Sequence, residues 1–260
     1  MTLSIIIPVL NEAKNIQRLL LHLSENISGE NKVELILVDG GSTDGTQNAI
    51  QNFSKNSSKN SLHALEIKLL HSEKGRARQM NTGSRNASGE ILYFLHADSF
   101  PPKDFDRYIF SEIEKGNPAG CFRMKFDSKH WWLQLMGWFT KFNWRACRGG
   151  DQSQFITKNL FDEIGGYDES YVIYEDNILI NELYARKKYV VIQQTLTTSA
   201  RLYKQKGVWN LQFHFLMIYL KRWMGADADE LYSYYLKNIK CSKNPKEQIC
   251  EKSINVFSEK

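Results

Sequence analysis

Three apolar runs, each ending at a carboxylate, constrain this chain more than any other feature. Ser4–Val9 runs into Asn11-Glu12, Val33–Val38 ends at Asp39, and Ile91–Leu95 follows Gly89 and leads through His96-Ala97 to Asp98. Short apolar runs without strict alternation, bounded by turn residues, are the pattern of strands buried on both faces of a parallel sheet. In open α/β sheets, ligands bind just beyond the carboxyl ends of such strands. The three runs therefore place Glu12, Asp39 and Asp98 along one sheet edge, and three carboxylates in register point to a site for a nucleotide and a metal.

The connections support that reading. Ile16, Leu19, Leu20 and Leu23 mark one face of a helix after the first strand, and Thr46–Phe53 forms a short helix after the second. Ser54–Ser61 is polar and of low complexity, which predicts a surface loop. Leu65–Leu70 is a third strand, and the helix Gly75–Ala87 leads to the Asp98 strand. The βαβαβαβ series predicts an α/β fold, Rossmann-like, with a mostly parallel sheet, right-handed crossovers and flanking helices. Beyond Pro101-Pro102 the pattern predicts a helix at Asp104–Lys115, strands at Ala119–Phe126 and Gln154–Thr157, a helix at Asp176–Lys187 and a strand at Tyr189–Gln193. Two helices, Gly207–Met224 and Asp227–Lys240, make a C-terminal helical extension. The domain organisation expected is one α/β domain over residues 1–200, helices 201–240 packed on it, and a polar frayed tail 241–260.

A chain of 260 residues with 42% hydrophobic content has enough apolar material for a sizeable core, which excludes disorder as the default. The net charge of +5 is scattered, favouring phosphate-bearing ligands or an anionic membrane surface and making no demand for nucleic acid. Cys121, Cys147, Cys241 and Cys250 lack C-x-x-C spacing, so neither a zinc site nor a disulfide framework is expected. The amino terminus shows no signal-peptide pattern and no stretch reaches the length of a membrane span, which predicts a cytoplasmic protein.

Several motifs admit both a chemical and a plain structural reading. Asp39-Gly40-Gly41-Ser42-Thr43-Asp44-Gly45-Thr46 is either a strand-to-helix turn or a close backbone approach to a ligand, with Asp39 able to accept from a base N–H. Lys74-Gly75-Arg76-Ala77-Arg78 sets three cations against the dipole of a helix start, which favours an anion clamp over a solvated helix end. Asp98 suits a hard divalent cation shared with phosphates, although an acid there can also cap the next turn. His96 fits a ribose contact, a neighbour of the metal or a satisfied core histidine. Glu175-Asp176 ahead of a helix, and Gly149-Gly150-Asp151-Gln152, are by themselves a cap and a turn.

Taken together and in order, Pro8-Val9-Leu10-Asn11-Glu12, Asp39–Thr46, Gly75–Gly83, His96-Ala97-Asp98 and Glu175-Asp176 resemble the motifs of family 2 glycosyltransferases, over about Ser4 to Arg201. The Arg-Ala-Arg-Gln-Met-Asn and His-Ala-Asp versions, with Ser199-Ala200-Arg201 downstream, look like a bacterial subgroup. The resemblance implies a GT-A fold, a nucleotide-diphosphate-sugar donor with UDP favoured, Mg2+ or Mn2+, and inversion at the anomeric carbon. By motif, Pro8, Asn11, Glu12 and Asp39 would form the nucleotide pocket with His96, and Arg78 would lie near the diphosphate. Asp98 matches the metal-binding end of a D-x-D motif whose first acid is His96 here. Asp176, with Glu175 beside it, matches the general base, and Gly150, Asp151, Gln152 and Arg201 fall on the acceptor side.

A sugar-phosphate nucleotidyltransferase would need a glycine-rich basic loop after the first strand, and Pro8–Glu12 offers none. A catalytically silent nucleotide-sugar-binding or membrane-docking module is disfavoured by the presence of both Asp98 and Asp176. Trp131–Phe139 and the seam Trp209, Phe213, Leu216, Leu220 and Trp223 are more aromatic than a core requires. Helix packing, a homodimer interface and contact with a lipid surface all fit them, so the acceptor expected is a hydroxyl on a molecule that includes lipid-linked ones.

Overall fold

Because successive residues of a strand point to opposite faces, a run that is apolar at every position must be covered on both sides. The computed structural model, which describes residues 1–60 and 65–240, shows this arrangement. Strands β1 (Thr2–Val9), β2 (Lys32–Asp39), β3 (Glu66–His71) and β4 (Ile91–Phe94) are parallel, in the order β3-β2-β1-β4. Register aligns Val9 with Asp39 and Ile6 with Phe94, so the three strand ends open onto one edge. Helices α1 (Ala13–Asn26), α2 (Thr46–Asn60) and α3 (Arg76–Arg85) supply the crossovers. Ile5, Ile7, Leu35 and Leu37 pack with Leu19 and Leu20 on one face, while Ile6, Ile36 and Val38 pack with Ala77 and Met80 on the other. A Cβ on Gly83 of α3 would lie 2.4 Å from Ile6 Cγ2, so glycine sets how closely α3 sits on β1.

The chain continues through β5 (Ser99–Phe100), α4 (Phe105–Glu114), β6 (Ala119–Phe126), α5 (Trp131–Phe139), β7 (Gln154–Thr157), α6 (Lys158–Ile164), α7 (Glu175–Ala185) and β8 (Val190–Thr198). This half of the sheet is mixed: β7 is antiparallel to β4 and β6, β6 is parallel to β8, and β5 closes the edge. These elements and the parallel half form one compact unit, Met1–Glu169 with Tyr174–Ser199. A second unit, Ser170–Ile173 with the chain from Ala200, holds α8 (Arg201–Lys206), α9 (Val208–Trp223) and α10 (Ala228–Tyr235). Among the described residues no helix is long and apolar enough to cross a membrane.

Some expectations are corrected. The loop expected from Ser54 is helical through Asn60, with Ser61 outside the described residues. Ser, Asn and Lys are only about 0.7 kcal/mol or less poorer than Ala in a helix, and extending an existing helix adds a hydrogen bond for each residue fixed. The last helix is α-helical only to Tyr235, and Leu236–Lys240 widens into a π turn. The segments β5, α6 and α8 are too short to leave a periodic signature. The frayed tail expected at 241–260, with Cys241 and Cys250, lies outside the described residues.

Candidate active site

The loops after β1 and β2 are laced to each other at the sheet edge. Asp39 is fully buried, and its carboxylate accepts hydrogen bonds from Gly41 N (3.3 Å), Ser42 N (3.1 Å), Ser42 Oγ (2.5 Å) and Gln47 Nε2 (2.7 Å). Burial opposes its ionisation, but these donors outweigh it and hold the carboxyl below its ordinary range. Ser42 Oγ in turn accepts from Asn11 N at 2.9 Å, and Thr43 N donates to Asn11 Oδ1 at 2.9 Å. Thr46 Oγ1 accepts from Glu12 N (2.9 Å) and Asp44 Oδ2 from Ala13 N (3.1 Å), so the second loop satisfies the first amides of α1. The Glu12 carboxylate accepts from Asn15 Nδ2 at 2.6 Å. Asp39, expected at the base, thus also shapes the loop that follows β2.

The basic motif of α3 divides in two. Gln79 Nε2 donates to Val9 O (2.9 Å) and Val38 O (2.7 Å), tying the ends of β1 and β2 together. Asn81 bonds both the N and the O of Tyr167 at 2.9 Å, anchoring the chain after α6. Arg78, expected near a diphosphate, pairs with Glu73 and lies 4.0 Å from Glu169. It is Arg76, which the sequence did not single out, that reaches the acidic pair: Nε is 3.3 Å from Glu175 Oε1 and Nη1 is 3.7 Å from Asp176 Oδ2.

Glu175 and Asp176 are the first residues of α7, which Tyr174 enters with φ 73°. Glu175 is 1% exposed, and its Oε1 is a buried oxygen with no hydrogen-bond partner. Burial pushes its carboxyl up to about 7, with Arg76 opposing the rise and Asp176 adding to it. Burial also raises Asp176, where Arg76 again opposes and Asp151 adds. A small crevice lined by Pro8, His96, Gly150, Ser153 and Tyr167 includes Asp176 in its wall. His96 Nε2 is 2.8 Å from Gly150 O; a carbonyl only accepts, so Nε2 carries the proton. Burial, then Arg76, lowers the His96 pKa and keeps the ring neutral with its lone pair on Nδ1.

Asp98 follows two residues later, within electrostatic reach of His96, and its backbone O accepts from Ser199 N at 3.2 Å. Asp151 is exposed, but Gln152 is turned inward: its Oε1 accepts from Arg148 (2.6 Å) and Cys121 (3.2 Å), and its Nε2 donates to Cys147 O (2.6 Å). Gln152 therefore braces the turn from inside. Arg201 begins α8 of the second unit. Among the described residues with positive φ that are not glycine, Asn11, Ser153 and Tyr174 all belong to these loops, and strained backbone of this kind concentrates at functional sites.

A divalent cation fits the donor set in one way. Among the described residues no three His, Cys, Asp or Glu side chains come together to hold a metal by themselves. One carboxylate, Asp98, beside a neutral imidazole suits an ion that also takes oxygens from a bound diphosphate.

A parallel half followed by a mixed half, with acidic residues at their common edge, is the GT-A architecture of glycosyltransferases. Residues 4–168 match the model of glycosyl transferase family 2, and the chain belongs to that family. The fold resembles the mannosyltransferase PcManGT from Pyrobaculum calidifontis, solved with GDP-Man and Mn2+, with a TM-score of 0.65 and 16% identity over 99% of this chain and 81% of that one. It also resembles S. aureus TarS 1-349 in complex with UDP-GlcNAc, with a TM-score of 0.62 and 20% identity over 76% of this chain and 58% of the other. Glycosyltransferase AglE of Haloferax volcanii is 38% identical over 98 residues, which are 38% of this chain and 31% of that protein. A dolichyl N-acetyl-alpha-D-glucosaminyl phosphate 3-beta-D-2,3-diacetamido-2,3-dideoxy-beta-D-glucuronosyltransferase of Methanococcus voltae is 31% identical over 121 residues, 45% of this chain and 36% of that protein. The matched stretch thus spans about a third of the length of these relatives.

Proposed function

We propose that this chain transfers a sugar from a nucleoside-diphosphate sugar to an acceptor hydroxyl with inversion, Asp176 acting as the general base. The observation that carries this reading is the setting of Asp176: a carboxylate at the crevice wall, raised in pKa by burial and facing Arg76. A base of raised pKa is better matched to taking a hydroxyl proton near neutral pH. Asp176 removes that proton as the acceptor oxygen attacks the anomeric carbon from the side opposite the leaving diphosphate. Arg76 is placed to balance the charge of the acidic pair and to meet negative charge as it grows on the diphosphate, a preorganised electrostatic contribution. Asp98, with neutral His96 beside it, would hold Mg2+ or Mn2+ against the diphosphate, and such an ion supplies charge neutralisation to the leaving group. The lacing of Asn11 to Ser42 and Thr43 presents the ends of β1 and β2 to the nucleotide, for which a UDP-sugar is the first donor to test.

The test is release of nucleoside diphosphate from a panel of UDP-, GDP- and dTDP-sugars with Mn2+, Mg2+ or EDTA, with and without a lipid extract as acceptor source. Metal-dependent release from one donor is expected. It disappears in Asp176→Asn while donor binding by calorimetry persists. Transfer at the native rate by Asp176→Asn overturns the assignment of the base.

A further inference from the structure

Helix α9 carries a stripe of large apolar residues that are exposed to solvent. Its exposed residues are Trp209, Asn210, Phe213, Leu216, Tyr219, Leu220 and Trp223, of which Asn210 is the polar exception. Trp209, Phe213 and Leu216 are each 56% exposed and Trp223 is 84% exposed, whereas Leu211 and Ile218 on the other side are buried. Trp209, Phe213, Leu216, Leu220 and Trp223 follow one another at spacings of four and three, so they form one stripe along the helix.

Charge and geometry select what this face meets. From Ala200 to Ala226 the sequence carries Arg201, Lys204, Lys206, Lys221 and Arg222 and no acidic residue. Lys221 and Arg222 lie over the rings of Tyr234 and Tyr171, turned away from the stripe, and Lys204 and Lys206 precede it on α8. Acidic side chains begin on the next helix, where Asp227 caps the Glu230 amide and Asp229 and Glu230 occupy the first turn. A helical dimer seam is flanked by charge pairs of opposite sign, and α9 offers no acidic residue to form them with a second copy. Tryptophan, a large apolar ring with one N–H donor, suits a boundary where an apolar interior meets water, and Trp209 and Trp223 both belong to the stripe. At 16 residues α9 is about 24 Å long, less than the ~30 Å of a hydrocarbon core, so it suits lying in the interface and not crossing it.

We infer that α9 docks the protein on an anionic lipid surface, inserting the Trp209–Trp223 stripe among the headgroups while Lys204, Lys206 and their neighbours meet the negative charge. The inference does not rest on the transferase reading, and its test uses no sugar donor. The full chain is floated with vesicles of phosphatidylglycerol and phosphatidylcholine, or of phosphatidylcholine alone, at low and high salt. Binding to the anionic vesicles at low salt is expected, weakened by salt and weaker on the neutral vesicles. Phe213→Ser with Trp223→Ser lowers the partition coefficient about tenfold or more, because two aromatic side chains no longer leave water. Lys204→Glu with Lys206→Glu weakens binding and flattens its salt dependence, and serves alone if the first variant unfolds. Absence of binding to anionic vesicles at low salt overturns the inference, as does binding that neither variant changes. A dimer by light scattering that the first variant splits, without vesicle binding, also overturns it and assigns the face to a second copy.

Discussion

A Cβ placed on Gly150 would lie 2.0 Å from Oδ2 of Asp176 and 2.8 Å from its Cγ. The turn at Gly149–Gln152 therefore presses its backbone against the proposed base, and only a residue without a side chain leaves the carboxylate where it is. Gly149, one residue earlier, has nothing within 4 Å of such a Cβ. Gly150→Ala should rotate Asp176 away from the crevice and lower kcat by about 10²-fold, the scale of a misplacement near 1 Å. Gly149→Ala should leave kcat unchanged. Steady-state rates with melting curves for both variants check this. Equal loss in the two, or a Gly150→Ala protein of native rate, would remove Gly150 from the machinery.

Arg76 and Arg78 make a second internal comparison. Two residues apart on a helix, they point about 200° away from each other, and the structure turns Arg76 to Glu175 and Asp176 but Arg78 to Glu73 and Glu169. Arg76→Gln removes a cation that opposes the rise of both buried carboxyls. Their pKa values then climb further, so the rising limb of the pH–rate profile should move to higher pH while kcat falls tenfold or more. Arg78→Gln should leave the limb in place and change the rate little. A shift produced by Arg78→Gln and not by Arg76→Gln would overturn the pairing of Arg76 with the two acids as the source of the effect.

This pair shows where sequence reading ends. The strand ends were legible because runs apolar on both faces leave few places to go, and Pro8, Asp39 and Asp98 follow directly from them. Which arginine of Lys74-Gly75-Arg76-Ala77-Arg78 faces the acids depends on helical phase against a partner far along the chain. Glu175 reads as a helix cap in the sequence because its burial and its pairing with Arg76, far earlier in the chain, arise only in the folded chain. Gln152 looked like part of an exposed turn, yet Arg148 and Cys121 draw it inward. Likewise the α9 stripe was plain as periodicity, but only its exposure distinguishes a surface from a core.

At the opposite end of the sheet Glu34 supports the fold without touching the site. It is 1% exposed and accepts from Ser4 Oγ (2.5 Å), Lys68 Nζ (2.7 Å), Ser88 N (2.7 Å) and Ser88 Oγ (2.9 Å), joining β1, β2, β3 and the turn before β4. Burial works against its charge, but Lys68 and the serines prevail and bring its carboxyl down to about 2, against an ordinary 4.5. A folded pKa below the unfolded one gives stability that is present above 4.5 and drains as pH falls towards 2. The linkage amounts to about 3 kcal/mol. Glu34→Gln should unfold at lower urea at pH 7 and lose less than the native chain between pH 4.5 and 2, because it has no carboxyl to protonate. Its kcat at pH 7, measured below its melting temperature, should match the native value. Urea midpoints across the acid range decide the matter: parallel acid limbs for the two proteins would show that Glu34 is not the group that titrates.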